Sequence, residues 1–231
     1  MKKFLKVTLV ILLVMVLFVV VTGCGKKEDN NNNSNIINSN NSNNNEEKNN
    51  DTSDNPNNSK TYEVFSKLKN NYIMSLEMTE DGETASMTMA KKGEKTYLDI
   101  NSSEGKMTII IKDGKTYLIS HDEKAYAVQE GTTGTGIEEE ALFTEEDLEK
   151  MKTEEYSKGK ETIDGTEYEY EEFKDDETGE VERFYFLGKD LKYVKDISDD
   201  ATEEITKVNN LSTEVDDSLF EIPSGYTEME M

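Results

Sequence analysis

Short stretches in which apolar and polar residues alternate recur along the chain from residue 74 onward, and turn dipeptides separate them. The alternating apolar residues of the first half are Met74, Leu76, Met78, Met87, Met89, Leu98, Ile100, Met107, Ile109, Ile111, Tyr117, Ile119, Tyr126 and Val128. A period of two is the signature of β-strands that bury one face. Asp81-Gly82 and Asp113-Gly114 stand at hairpin spacing, where both central residues must tolerate a positive φ. The pattern predicts an antiparallel meander and disfavours βαβ units, whose connections are longer.

The alternation resumes in the second half of the chain, and helical spacing appears at two places. The alternating residues of the second half are Tyr168, Tyr170, Phe173, Phe184, Phe186, Leu191, Tyr193, Ile205 and Val208. The apolar residues at helical spacing are Tyr62, Phe65 and Leu68 within residues 60–70, and later Leu148 and Met151. We therefore expect one mainly β (α+β) domain at residues 59–231, with about ten or eleven strands and two or three short helices.

The most apolar window of the domain is Met107–Ile111, and Lys106 and Lys112 flank it. A segment of this composition promotes aggregation when it forms an exposed edge strand, and flanking charges are a common protection. We therefore expect it in the interior of the sheet.

The first 23 residues have the layout of a processing signal. Three lysines precede an apolar run over residues 7–21, which is short for a membrane span of about 20 residues. The sequence Val21-Thr22-Gly23-Cys24 that follows resembles the bacterial lipobox, which is cleaved before a cysteine that carries diacylglycerol. We expect a signal peptide at residues 1–23 and a lipidated Cys24 that anchors the chain on the extracytoplasmic face of the cell membrane. The alternative is an uncleaved anchor helix with an incidental cysteine.

Asparagine dominates the segment between this cysteine and the domain. It supplies 16 of the 29 residues from 30 to 58, and only Ile36 and Ile37 are apolar there. Such a segment buries too little surface to offset its ordering entropy. We expect residues 24–58 to be a disordered tether, with a span on the order of 30 Å. The asparagine content also suggests a Gram-positive source with an AT-rich genome.

The charge of the chain excludes one class of partner. The 50 Asp and Glu residues outnumber the 26 Lys and Arg residues, which gives a formal net charge of −24. Nucleic-acid binding requires clustered cations that neutralise phosphates, so we expect no nucleic-acid partner.

Residue usage also argues against catalysis and metal binding. One Cys and one His permit neither a cysteine-rich metal site nor a two-histidine zinc motif, and no nucleophile-elbow or phosphate-loop motif is present. The acidic clusters at residues 138–140, 145–147 and 175–177 lack the spacing of a calcium loop and are predicted to be solvated. His121 beside Asp122 is predicted to be an exposed turn residue. We expect no enzyme activity, no cofactor and no metal.

Two motifs resemble a known group of bacterial lipoproteins. The first is Asp113-Gly114-Lys115-Thr116-Tyr117-Leu118-Ile119, followed by Asp122 and Ala125-Tyr126, and it resembles the central hairpin of the LolA/LolB and LppX/LprG group. The second is the segment from Val215 to Pro223, which resembles the closing segment of that group. The resemblance implies an open, strongly curved half β-barrel with helices over its concave face, able to hold an acyl chain.

A lipid-binding cavity in such a half-barrel would be lined by the inward residues of the strands and helices. The predicted lining residues are Met74, Leu76, Met78, Met87, Met89, Met107, Ile109, Ile111, Tyr117, Leu148 and Met151. Methionine is flexible and polarizable, so a methionine-rich lining adapts to irregular apolar ligands. Two hypotheses follow, both for a monomer. Either the cavity binds a lipid or another hydrophobic molecule, or the core is packed and the acidic surface meets an envelope protein partner.

Overall fold

The structure, a computed structural model, describes residues 59–80, 82–131, 148–149, 151–175 and 178–229. Its elements in chain order are helix α1 (Lys60–Phe65), strands β1 (Asn71–Glu80), β2 (Glu83–Lys92), β3 (Lys95–Ser102), β4 (Gly105–Lys112), β5 (Lys115–Ser120), β6 (Ala125–Glu130), β7 (Tyr156–Ile163), β8 (Thr166–Lys174), β9 (Val181–Leu187), β10 (Asp190–Ile197) and β11 (Glu203–Ser212), a 3₁₀ helix (Asp217–Phe220) and β12 (Thr227–Glu228). Leu148, Glu149 and Met151 are also helical. Within these ranges, no helix has the length and apolar character needed to cross a membrane.

All twelve strands belong to one sheet, with the order β12-β6-β5-β4-β3-β2-β1-β11-β10-β9-β8-β7. Neighbouring strands are antiparallel, except that β12 lies parallel to β6. The pairing of β1 with β11 joins a first meander, β1–β6, to a second meander, β7–β11. The sheet is not closed, because β7 and β12 each have one neighbour. This confirms the mainly β, antiparallel meander and is consistent with an open curved sheet.

The strand and helix numbers differ from the expectation. The sheet has twelve strands instead of ten or eleven, and the additional strands are β7 and β12. Strand β7 lies at the edge, where Tyr156 is its one buried residue, so it shows no apolar alternation. Strand β12 has two exposed residues. Helix α1 has six residues, whereas its pattern predicts a helix to residue 70; residues 66–70 form turns, and Lys69 has a positive φ of 33°.

The predicted turn at Asp113-Gly114 forms, whereas Asp81 of the predicted Asp81-Gly82 turn lies outside the described residues. Asp113 and Gly114 have φ values of 53° and 72°, and the flanking residues Lys112 and Lys115 are paired. Asp164-Gly165 forms the equivalent turn between β7 and β8, with φ values of 51° and 78°. Two successive positive φ values match the right-handed twist of a hairpin, which is why this dipeptide sets the strand register.

One large apolar cluster lies on the side of the sheet against which α1 packs, which we call the inner face. Both meanders contribute to this cluster, so they share one core. Its buried members are Phe65, Leu68, Tyr72, Met74, Leu76, Met87, Leu98, Ile100, Ile109, Leu148, Met151, Tyr156, Phe173, Phe184, Phe186, Leu191, Val194 and Val208.

A second, smaller cluster lies on the opposite side of the sheet, the outer face. Ala90, Ile110, Ile119 and Phe220 are its buried members. Phe220 comes from the C-terminal segment, residues 215–226, and its ring makes an edge contact with Tyr97 at 6.5 Å. Strand β4 is consequently buried on both faces and lies between β3 and β5. This confirms the prediction that the most apolar window lies in the interior of the sheet.

Candidate functional site

Two rows of apolar side chains cross the first meander on the inner face. The first row consists of Leu76, Met87, Ile100 and Met107, each paired with the next across neighbouring strands. The second row consists of Met74, Met89, Leu98, Ile109 and Leu118, paired in the same way. Residues two apart on a strand point to the same side of the sheet. The two rows therefore form one continuous apolar surface.

Most of the residues predicted to line a cavity meet on this surface. The predicted residues that belong to the inner-face cluster or pack against it are Met74, Leu76, Met78, Met87, Met89, Met107, Ile109, Leu148 and Met151. Ile111 is 4% exposed and lies two residues after Ile109 on β4, so it shares the inner face. The sequence pattern therefore identified the inner face of β1–β4 and the helical residues that cover it.

Tyr117 is the exception, because it lies on the outer face. It pairs with Ile110 and packs against the outer-face cluster, whereas its neighbour Leu118 pairs with Ile109 on the inner face. The reason is the two-residue turn at Asp113-Gly114, which pairs residues at equal distances from the turn and so sets Ile111 opposite Thr116. Counting outward from this turn would have identified Leu118 from the sequence.

The methionines of the rows differ in their burial. Met74 and Met87 are 1% and 2% exposed, while Met78, Met89 and Met107 are half-buried at the margin of the cluster. An unbranched thioether side chain has three rotatable bonds and fills irregular space at little cost. This part of the inner face is therefore its most adaptable part.

The second meander fills the inner face with aromatic rings instead. The Phe184 ring meets the rings of Phe65 and Phe173 edge-on at 5.6 and 5.7 Å, and Phe173 stacks on Tyr156 at 5.5 Å. Aromatic contacts of this geometry add stability beyond area burial. The alternation predicts these strands, but it does not show that their rings pack against a residue of α1.

Both rows continue toward β6 with smaller side chains. Met107 pairs with Ser120, which pairs with Ala125, and Leu118 pairs with Ala127. Ala125 and Ala127 are 5% and 8% exposed. Small side chains at this end of the rows leave more room above the sheet than the methionines do. Their role was missed because a lone alanine carries no alternation signal.

A buried glutamate holds α1 against the inner face. Glu171 on β8 is 2% exposed and accepts hydrogen bonds from Ser59 Oγ, from the backbone N–H groups of Lys60 and Thr61, and from Thr61 Oγ1, at 2.8–2.9 Å. Ser59 Oγ in turn accepts a hydrogen bond from the N–H of Tyr62 at 3.1 Å. These bonds satisfy the free N–H groups of the first turn. Helix α1, which covers part of the inner face, is thereby fixed at its N-terminus.

His121 lies in the turn after β5, as predicted, but it is half-buried and hydrogen-bonded. Its Nε2 lies 2.7 Å from Thr108 Oγ1 and its Nδ1 lies 2.8 Å from the hydroxyl of Tyr226. Thr108 Oγ1 also donates to Asp99 Oδ1 at 2.6 Å. Burial and the charge of Lys106 lower the pKa of His121. This chain of hydrogen bonds ties the C-terminal segment to the sheet.

Several predicted features lie outside the described residues. They are Cys24 with the signal sequence and tether, and the acidic clusters at residues 138–140 and 145–147. In the part of the chain that the structure describes, no group of three or more His, Cys, Asp or Glu side chains is arranged to hold a metal ion.

Comparisons with known proteins do not assign the chain to a family. No protein-family model matches it, and no curated protein matches it. Among solved structures, an uncharacterized conserved protein from Thermus thermophilus aligns with a TM-score of 0.43 and 7% identity, over 74% of this chain and 96% of that one. A structure of PNGF-II in a C2 space group aligns with a TM-score of 0.26 and 9% identity, over 69% of this chain and 31% of that one. Neither likeness carries a functional assignment.

Proposed function

We propose that this protein is a non-catalytic, membrane-anchored extracytoplasmic lipoprotein that binds a lipid or another hydrophobic ligand on the inner face of a half β-barrel. The observation that carries the proposal is the pair of apolar rows across β1–β5, in which five methionines take part or lie alongside. Ligand sites are mostly apolar and contain few polar groups. The two rows consist of apolar side chains, as a ligand site of this kind requires.

The arrangement of side chains suggests where an acyl chain lies. The aromatic rings of the second meander are closely packed, because Phe184 contacts both Phe173 and Phe65 of α1, and all three are at most 1% exposed. Met89 and Met107, in contrast, are half-buried, and small residues follow in their rows toward β6. We place the ligand along the two rows of the first meander, beneath the helical cover.

The surface charge supports anchoring through a lipid at Cys24. A formal charge of −24 opposes contact with anionic headgroups, so the domain has little affinity of its own for such a membrane. Two or three acyl chains on one cysteine give stable anchoring, whereas a single chain gives marginal binding. An asparagine-rich tether would then hold the domain clear of the headgroups.

Native mass spectrometry tests the ligand proposal. Every described strand and both clusters lie between residues 59 and 229, so the segment 59–231 contains the complete described sheet. We expect this segment, purified from bacteria, to carry a stoichiometric adduct that organic solvent extracts as lipid. An apo mass that stays unchanged after incubation with phospholipids and fatty acids would contradict the proposal.

A pair of matched variants locates the ligand. Met107→Arg places a charge at the margin of the apolar rows and is expected to lower adduct occupancy at least tenfold. Met229→Arg is the control, because Met229 is 43% exposed and belongs to neither cluster. Cooperative thermal unfolding of both variants establishes that they are folded. Equal adduct occupancy in the two variants would place the ligand away from the rows.

The second candidate is a protein that binds an envelope partner through its acidic surface and has a packed core. The close ring packing of the second meander favours it, because that half of the inner face already has the contacts of a protein interior. It predicts an apo mass and a crosslinked protein partner at the cell surface. The adduct measurement therefore separates the two candidates.

A further inference from the structure

Two carboxyl groups lie next to each other on the inner face, beside the aromatic part of the core. Glu182 on β9 and Asp196 on β10 are cross-strand partners. Glu182 also pairs with Phe173 on β8, and it lies two residues before Phe184 on its own strand. Glu182 is only 6% exposed. Side chains of directly opposed residues are about 5 Å apart at Cβ, so these two acids adjoin each other and the apolar cluster.

No protein group compensates the two acids in the described part of the chain. Neither carboxyl group has a hydrogen bond or an ion pair with any residue described there. Among the described residues, the other charged neighbours that act on them are Glu154, Glu180 and Glu204, which are acidic as well. A buried charge without a partner is costly.

Two other carboxylates of low exposure, those of Glu171 and Glu161, are hydrogen-bonded to several groups. Glu171 accepts four hydrogen bonds at the start of α1. Glu161 accepts hydrogen bonds from Lys195, Tyr185 and Arg183 at 2.6–3.2 Å. Burial raises the pKa of Glu161, but the bonds from Lys195 and Tyr185 outweigh it and leave that pKa below its ordinary value. Glu182 differs from both of these carboxylates.

The two acids line a small cleft at the end of the β9–β10 pair. The cleft is lined by Asp175, Glu180, Val181, Glu182, Asp196, Ile197 and Ser198. Its volume of about 20 Å³ has room for one or two groups the size of a water molecule. Burial raises the pKa of both acids, and the charge of Asp196 raises that of Glu182 further. A cation bound in the cleft would favour the ionised forms of both acids and so lower both pKa values.

We propose that this cleft binds the ammonium group of a ligand whose apolar part lies on the inner face. The proposal rests on the proposed function, because the same face holds the apolar part of the ligand. An organic cation suits the cleft better than a metal ion for two reasons. The described residues form no three-ligand metal arrangement, and the aromatic rings of Phe173 and Phe184 border the acids, where they favour a carbon-bearing cation. The ligand class is a cationic amphiphile.

Equilibrium dialysis with two probes of equal chain length tests the proposal. The full chain is reconstituted in nanodiscs of zwitterionic phosphatidylcholine and dialysed at pH 8 against octylammonium or octanol, with empty nanodiscs as background. The test variant is E182Q/D196N. The matched control is E94Q/E104Q, which removes the same charge from two exposed turns. Thermal unfolding of each variant verifies that it is folded.

We expect the chain to bind one octylammonium, and E182Q/D196N to weaken this binding at least tenfold while octanol binding changes less than twofold. The control variant is expected to bind both probes as the unmodified chain does. Equal octylammonium binding by the test variant, or equal weakening by the control variant, would overturn the ammonium site and leave apolar binding intact. Binding of neither probe would overturn the proposed function together with the ammonium site.

Discussion

Asp196 has a pKa of about 7, because burial and the charges of Glu204 and Glu180 penalise its ionised form. An unfolded aspartate titrates near pH 4. Between about pH 4 and pH 7 the folded state therefore binds a proton that the unfolded state does not bind. By linkage, the free energy of unfolding falls as the pH rises through this window.

Replacing Asp196 with Asn removes this titration from the folded state. At pH 8 we expect Asp196→Asn to be more stable than the unmodified chain by about 1–4 kcal/mol, because the variant has no charge to bury. The difference between the two proteins should shrink as the pH falls to 4. Urea unfolding followed by circular dichroism at several pH values measures it, and a difference independent of pH would contradict the assignment.

Helix α1 depends on tertiary contacts, because six residues are too few for a stable isolated helix. The carboxylate of Glu171 supplies its N-terminal partners, and the buried Phe65 supplies its packing. The position of the helix is consequently set by Glu171 on β8, which is more than one hundred residues away in sequence.

Substituting Glu171 with Gln tests this attachment. The amide keeps the shape of the side chain but loses the charge and one acceptor, so we expect a loss of about 1–3 kcal/mol in the free energy of unfolding. Glu169→Gln is the control, because Glu169 is exposed and pairs with Lys60 at the surface. We expect a change of less than about 1 kcal/mol for this control. Equal urea midpoints for the two variants would show that Glu171 does not fasten α1.

The C-terminal segment also depends on tertiary contacts, and Phe220 is its buried residue. Phe220 is fully buried against the outer face of β3 and β4. We expect Phe220→Ala to cost about 3–5 kcal/mol, because it opens a cavity under the segment. Leu187→Ala, at a residue that is 49% exposed, is expected to change stability by less than about 1 kcal/mol. Chemical unfolding compares the two, and a small loss for Phe220→Ala would mean that the segment adds little to the core.

At the scale of the whole molecule, two meanders make one core because β1 pairs with β11. The first meander presents methionines to the inner face and the second presents aromatic rings. One sheet thus combines an adaptable half with a rigid half. In the proposed function, the rigid half supports α1 and the adaptable half receives the ligand.

The proposed lipid anchor also concerns the whole molecule, and Cys24→Ser tests it. We expect the variant to lose metabolic labelling with palmitate and to keep its leader, because the lipobox is cleaved before a cysteine that carries diacylglycerol. Fractionation in high salt is the control for electrostatic attachment, which the negative charge of the chain disfavours. A mature size and palmitate labelling equal to those of the unmodified chain would contradict lipidation at Cys24.

The sequence alone determined ten of the twelve strands, most of the inner face and the interior position of β4, because period two and turn chemistry are local properties. The spacing around Asp113-Gly114 also fixes the strand register, which places Leu118 on the inner face and Tyr117 on the outer face. Only the tertiary structure showed that β1 pairs with β11 and so joins the two meanders, and that β7 forms an edge of the sheet. It alone brought Glu171 to α1 and left the paired acids Glu182 and Asp196 without a protein partner in the described residues. A carboxylate takes its role from groups distant in sequence, so no local pattern distinguishes a helix anchor from a ligand site.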